Sequence, residues 1–238
     1  MSIDILAFGA HPDDVEISCG GTLLRYASAG KKIVIVDLTQ GELGTRGNAS
    51  LRSKESEAAS KKIGLSTRVN LEMPDCFFEQ NEHNLIEIIK QIRRFRPEII
   101  LANSITDRHP DHGRAAELVA RAAFLAGLPK IDSTFEGKKQ AAFRAGLLLH
   151  YIQDQYIAPD IVIDVTPYAE EKMKLVQCFA SQFYDPESIE PETPISQANF
   201  FEFMKGRMRQ FGRPIGVEFA EGFNANRLIG VNSLFDLI

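Results

Sequence analysis

The sequence predicts an α/β fold, a Rossmann-like three-layer sandwich with a mostly parallel sheet between two layers of helices. Three observations predict it. Apolar runs of strand length alternate with amphipathic stretches of helix length through the first half of the 238 residues. The runs are apolar on both faces, as in Ile33–Leu38 (IVIVDL), which is the pattern of strands covered on both sides. Glycine or proline follows each helical stretch and stops it.

Taken in order, Ile3–Ala10 reads as the first strand and Gly20–Ala29 as an amphipathic helix ended by Gly30. Ile33–Leu38 is the second strand, and Leu51–Ile63 a helix closed by Gly64. Val69–Met73 is the third strand, and Asn84–Phe95 a helix stopped by Pro97. Ile99–Ala102 and Asp111–Ala126 complete the regular part, with Gly127 as the stop. Past residue 130 the alternation loosens. Leu147–Ile152 and Ile161–Val165 read as strands, Ala169–Ala180 and Phe200–Phe211 as helices, and the proline-rich, acidic Asp185–Pro194 as a surface loop. No repeat or linker divides the chain, so residues 1–238 are expected to form one domain.

Composition narrows the function. A net charge of −5 without a basic patch argues against a nucleic-acid partner. Apolar runs stop far short of the roughly 20 residues that cross a membrane. The start, Met1-Ser2-Ile3-Asp4, enters a strand directly and lacks the basic segment of a secretion signal, so a cytoplasmic location is expected. Three cysteines, Cys19, Cys76 and Cys178, share no pair spacing and are expected to be buried, reduced thiols.

Ligands of open α/β sheets gather beyond the carboxyl ends of the strands. The first such turn reads Gly9-Ala10-His11-Pro12-Asp13-Asp14-Val15-Glu16. A dinucleotide site would carry glycines here, to bring backbone N–H groups to a pyrophosphate. Three carboxylates would instead repel phosphate and favour a cation. A second cluster, Asp107-Arg108-His109-Pro110-Asp111-His112-Gly113, follows the fourth strand. Pro110 suits the first position of a helix, placing His109 at the cap and His112 one turn inside. The first and fourth strands flank the switch point of such a sheet, so the two clusters converge on one crevice. His11, Asp14 and His112 then supply the two-histidine, one-carboxylate set of a catalytic zinc site with a position left open for water.

The strings AHPDDVE, CGGTL and RHPDHG resemble the PIG-L/LmbE-like deacetylase superfamily. DLTQGELGTRG, LRSKESEAA, RVNLEMPD, PDIVIDV and GVEFAEGF are similar to its bacillithiol biosynthesis branch, whose members remove acetyl from N-acetylglucosaminyl-malate. The resemblance implies the PIG-L/LmbE fold, with zinc held by His11, Asp14 and His112 and with Fe2+ as another possible ion. It implies Asp13 as general base and His109 as the second catalytic histidine. The chemistry agrees: a carboxylate beside a ligand can take a proton from water, and a protonated His109, held charged by Asp111 or another carboxylate, would stabilise an oxyanion.

By the same resemblance Glu42 and Arg52 grip sugar hydroxyls, and Asp75 of the MPD segment is a similar candidate. Arg108 beside His109 suits a malyl carboxylate, because a guanidinium fork matches that group. An ordinary alternative for Arg52 is a helix-surface pair with Glu55. The partner expected is a small N-acetylglucosamine conjugate, and the branch implies a homo-oligomer, as hexamers. Three rivals remain: an iron(II) oxygenase with the same ligand types, a non-catalytic metal- or sugar-binding module, and a deacetylase or thiol-conjugate amidase with another substrate. Asp13 argues against the first, and Asp13 with His109 against the second, since neither would be needed there.

Overall fold

The computed structural model describes residues 2–237. β1 (Ile5–Gly9), α1 (Asp14–Ser28), β2 (Ile33–Thr39), α2 (Ala49–Ile63), β3 (Thr67–Met73), α3 (Glu82–Phe95), β4 (Ile99–Ala102) and α4 (Pro110–Ala126) follow the expected alternation. A small hairpin comes next, β5 (Thr134–Phe135) and β6 (Lys138–Lys139). The chain ends with β7 (Leu147–Tyr151), β8 (Ile161–Asp164), α5 (Ala169–Val176), α6 (Phe200–Gly212) and β9 (Ala220–Ala225).

Seven strands form one sheet in the order β3-β2-β1-β4-β7-β9-β8. The first five are parallel, and β9 runs antiparallel to both of its neighbours. Side-chain alternation builds a core on each face. Ile5 and Ala7 of β1 join Ile33 and Ile35 of β2 under α1, α5 and α6. Leu6 and Phe8 join Val34 and Val36 on the other face, under α3 and α4. A one-residue slip would exchange the two sets, so the β1–β2 register of Ile5 on Ile33 is tightly specified. The chain runs outward from β1 to β3, then returns to β4 on β1's other side. That reversal puts the switch point between β1 and β4.

The β5–β6 hairpin is absent from the sequence reading, α5 stops at Val176 rather than Ala180, and two larger differences bear on the site. β9 is missing from the sequence reading, because Glu221, Gly222 and Asn224 interrupt its apolar pattern. α1 begins at Asp14 rather than Gly20 and is broken at Cys19 (φ −132°, ψ 20°). The break frees two N–H groups, and Glu221 of β9 accepts both, from Gly21 at 2.9 Å and Thr22 at 2.7 Å. Lys172 of α5 neutralises that buried carboxylate at 2.6 Å. Thus the polar residue that hides β9 from the sequence pattern is what repairs α1. Among the described residues, no helix is long and apolar enough to cross a membrane.

Candidate metal and catalytic centre

The turn from β1 into α1 places His11, Asp13 and Asp14 within four residues of each other. Asp14 opens the helix, and its Oδ2 accepts the His11 backbone N–H at 2.9 Å. Asp13 sits at the helix cap with φ 119°, a left-handed conformation that costs a non-glycine residue energy. Its side chain caps nothing. Instead Arg52 of α2 pairs with Asp13 Oδ2 at 2.8 Å and also donates to the Pro12 carbonyl. Gly41 (φ +64°) makes room for this arm, since a Cβ there would overlap the Arg52 guanidinium.

The turn from β4 into α4 behaves as its sequence indicates. His109 is the cap residue, Pro110 takes the first helical position, and His112 lies inside the first turn. His109 Nδ1 accepts the Asp111 backbone N–H at 3.3 Å, which leaves the ring proton of a neutral His109 on Nε2. The rings of His11, His109 and His112 gather, with centroids 4.8 Å (His11–His109) and 5.1 Å (His109–His112) apart.

Each of the two expected metal-ligating histidines has one ring nitrogen committed to a carboxylate. His11 Nε2 lies 3.0 Å from Asp75 and 3.4 Å from Asp111. His112 Nδ1 lies 2.5 Å from Asp107. Their other nitrogens converge on Asp14, His11 Nδ1 at 3.6 Å and His112 Nε2 at 3.1 Å. Carboxylate–imidazole pairs of this kind orient histidines toward a metal, so the donor set fits a divalent cation. Among the described residues, the groups whose donor atoms all lie within 4.8 Å of one another are His11–His109–His112 and His11–Asp75–Asp111. In the first, His109 has spent Nδ1 on its helix cap. In the second, the carboxylates occupy the nitrogen of His11 that faces away from Asp14. Asp14, which faces the remaining ring nitrogen of both histidines, is the third donor that the sequence reading expects.

Without a cation, protons hold this cluster together. Burial pushes the His112 imidazole down, but Asp14 and the bond to Asp107 outweigh it and lift it to about 9. His11 is likewise raised well above its ordinary value, against burial, by Asp111, Asp14 and Asp75. Burial would raise Asp14, yet His112 and His11 hold it well below the usual carboxylate range. Asp13 behaves differently. Burial lifts its carboxyl to about 7, only partly countered by Arg52 and reinforced by Asp14. His109 is lowered by burial and by His11 and His112, a direction that works against the protonated form expected from sequence. Asp111 is fully buried, accepts from Cys76 N (3.0 Å) and Arg114 (2.7 Å) and lies 3.4 Å from His11 Nε2; its charge favours protonation of both His11 and His109.

A cavity of about 300 Å³ opens on this centre, lined by His11, Asp13, Asp14, His109 and His112, with Arg52, Asp75 and Arg108 also on its wall. Arg52 makes no pair with Glu55, whose carboxylate accepts instead from Ser181. Asp75 faces the cavity but is already bonded to His11 and to Leu43 N (3.0 Å). Glu42 does not line the cavity. Its carboxylate accepts the Asp75 N–H at 2.8 Å. Arg108 is half-exposed, with Nε held by Asp154 at 2.6 Å. Cys76 departs from the buried-thiol expectation, being exposed on the cavity wall with φ 62°. Glu16 also turns away from the centre, to Arg68 and the Asp37 beside it.

Three contributors carry no assignment from sequence. Asp107 orients His112. Asn103 donates to Asp14 Oδ2 at 3.0 Å, and Gln153 to Asp14 Oδ1 at 3.1 Å. Asn103 and Gln153 follow the carboxyl ends of β4 and β7, so the strand-end rule that picks out His11 could have found both.

Residues 6–123 match the PIG-L family, described as GlcNAc-PI de-N-acetylase. Diacetylchitobiose deacetylase of Thermococcus kodakarensis is 31% identical over 199 residues, covering 78% of this chain and 71% of that one. A Bacillus anthracis protein named "Probable N-acetyl-alpha-D-glucosaminyl L-malate deacetylase 2" is 26% identical, covering 75% and 81%. Across eight of its curated relatives the chain spans from 45% to 81% of their length. Among solved structures, the conserved protein TT1542 from Thermus thermophilus superposes with a TM-score of 0.84 at 32% identity, covering 97% and 98%. The hydratase GalB of Pseudomonas putida KT2440, which acts on 4-carboxy-2-hydroxymuconate by its name, shares the fold at TM-score 0.78 but only 20% identity, covering 98% and 100%. The fold alone therefore does not fix the reaction. Sequence identity above 30% over most of two relatives, together with both His/Asp turns inside the matched segment, does fix the family: this chain is an enzyme of the PIG-L deacetylase family.

Proposed function

We propose that the protein is a zinc-dependent hydrolase that removes acetyl from an N-acetylglucosamine conjugate, with N-acetylglucosaminyl-malate the first substrate to test. The observation that carries this reading is Asp13. It is a buried carboxylate outside the metal-donor set, strained at its backbone, and raised to about 7, where a general base works best. A binding module would have no use for it.

His11, Asp14 and His112 would hold the zinc, which when bound lowers the pKa of a water to about 7 and polarises the acyl carbonyl. Asp13 takes a proton from the attacking water, and Arg52 keeps that carboxylate ionised and aimed. Neutral His109 donates from Nε2 to the developing oxyanion, a preorganised donor at the point of new charge. Its one ring proton is committed there, so the proton held by Asp13 is the one passed to the departing amine. Arg52 and Asp75 meet the sugar, with Glu42 acting through the Asp75 backbone. The free terminal N–H groups of Arg108 suit a carboxylate on the aglycone. The names of the relatives, which place acetylated amino sugars at this fold, support the substrate class.

The test is amine release by zinc-loaded protein over N-acetylglucosamine, diacetylchitobiose and the malate and inositol conjugates. Acetate and amine should appear in equal amounts, fastest from the malate conjugate. A higher kcat/KM on a conjugate without a carboxylate would overturn the malate assignment. Absence of amine release from every substrate would overturn the deacetylase reading itself.

A further inference from the structure

The cavity is longer than an acetyl group needs. From Asp14 in the first turn of α1, its lining continues through Ile17 and Ser18 to Glu221, the residue that receives the Gly21 and Thr22 N–H groups. From position 14 to position 21 a helix rises about 10 Å. Along that length the wall includes Phe200, Met204, Met208 and Phe211 of α6, with Ile152 just beyond β7. These five side chains are buried. Glu221 and Lys172, paired at 2.6 Å and almost inaccessible, supply a polar end to this apolar arm.

An acetyl group offers one methyl to such a wall. A sugar ring would have to bring hydroxyls out of water against these five side chains, which cannot bond them. Of the polar groups on the lining, Arg207 donates to the Gln153 and Asp154 carbonyls and Gln182 to the Arg46 carbonyl, while Ser18 Oγ has no partner among the described residues and can meet one polar atom. The groups that suit a sugar, Arg52 and Asp75, stand instead beside Asp13 and His11. Of the two substituents on a scissile amide, the acyl chain is the one that can be apolar over this length while the sugar stays with those polar groups.

We propose that this arm is an acyl subsite, and that the protein hydrolyses N-acyl glucosamine derivatives with chains longer than acetyl. The proposal rests on the hydrolase reading above and names its substrate class more closely. The reaction is the same and balances the same way. The oxygen of water bonds to the acyl carbon, the C–N bond breaks, one proton of water goes to the amine, and a fatty acid and glucosamine leave.

The experiment measures amine release by zinc-loaded protein from N-acetyl-, N-butanoyl-, N-hexanoyl- and N-octanoylglucosamine, with the methyl and octyl glycosides of N-acetylglucosamine as a second arm. Each added methylene should raise kcat/KM about fourfold, until the chain meets the Lys172–Glu221 pair and the gain stops. The octyl glycoside should match the methyl glycoside. A flat or falling series with acetyl still cleaved overturns the acyl subsite and leaves the deacetylase reading standing. A gain on the octyl glycoside instead gives the arm to an aglycone and overturns the proposal. No release from any substrate overturns both readings. Met208→Trp fills the arm and should lower the octanoyl-to-acetyl ratio of kcat/KM about tenfold; an unchanged ratio would show that the chain lies elsewhere.

Discussion

Loading the metal-free protein with zinc should release protons, and the structure sets from which groups. His112 is raised to about 9 by its two carboxylate neighbours, and His11 is raised well above its ordinary value by three. At pH 7.5 His112 is therefore charged in the metal-free protein, and His11 is shifted in the same direction. A zinc ligand must be neutral imidazole, so the His112 proton, and any held by His11, leaves on binding. Asp14 is already ionised and contributes none. Each proton released makes the affinity rise about tenfold per pH unit, so the His112 proton alone makes it rise about tenfold from pH 6.5 to 7.5, and a proton on His11 steepens the slope. The slope should flatten toward pH 9 as His112 loses its proton unaided. Competition against a chromogenic chelator measures the affinity, and calorimetry in buffers of differing ionisation heat counts the protons. Stability follows with a definite sign. A folded value of about 9 against an unfolded one near 6.5 stabilises the metal-free fold fully below about pH 6.5, and that contribution is lost as pH rises through about 9. The zinc-loaded protein should show no loss in that window. An affinity independent of pH, or release of fewer than about one proton per zinc, would refute the ligand assignment.

Three further outcomes are expected. Asp13→Asn should keep its zinc and lose about a hundredfold or more in kcat, since the lost group acts in the transition state; metal content measured beside activity separates a base from a ligand. With Asp13 titrating at about 7, kcat/KM should fall as pH drops below that value, and Arg52→Ala should move this acid limb upward because Arg52 lowers the Asp13 value; an unmoved limb would assign it to another group. Arg108→Ala should weaken kcat/KM about tenfold for the malate conjugate and little for N-acetylglucosamine, because the charge-assisted fork acts only on a carboxylate, and equal losses on both would tie Arg108 to the loop carrying His109.

What can be read from sequence follows from which features are periodic and local. β1, β2 and β4 announce themselves because they are apolar on both faces, and the Gly64 stop and the Pro110 helix start because local chemistry sets them, whereas the Asn48 cap has no place in the sequence reading. His11 and His112 are legible because strand ends and a helix cap fix where short-range neighbours lie. Orientation is harder. Glu16 belongs to the same acidic turn as Asp14, but two residues along a helix it faces away, and Arg68 takes it. Asp111 sits beside both His109 and His112 in sequence, yet its carboxylate reaches back to His11 and the Cys76 N–H. The partners of Asp14 from Asn103 and Gln153 span 89 and 139 residues, a separation no local pattern records. β9 is hidden because its stabilising contacts are a buried ion pair and two N–H bonds to α1 rather than an apolar alternation.

These distances divide the chain by role. The proposed ligands and catalytic groups, His11, Asp13, Asp14, His109 and His112, lie in the first half, where β1 and β4 carry regular, two-faced strands and their helices begin, with Gln153 of the second half bonded to Asp14. The long wall of the cavity comes mainly from the second half, from α6, the turn after β7, and Glu221. The first half is constrained twice, since a shift of β1 against β4 would disturb both the core register and the meeting of the two His/Asp turns. The wall is constrained by packing alone, where Phe200, Met204, Met208 and Phe211 can be exchanged for other apolar residues at modest cost. Methionine in particular fills irregular space without fixing one shape. The chemistry of this enzyme is therefore carried by the part of the chain least free to vary, and the choice of substrate by the part most free. Substitutions in α6 should accordingly change which amide is cleaved before they change whether one is.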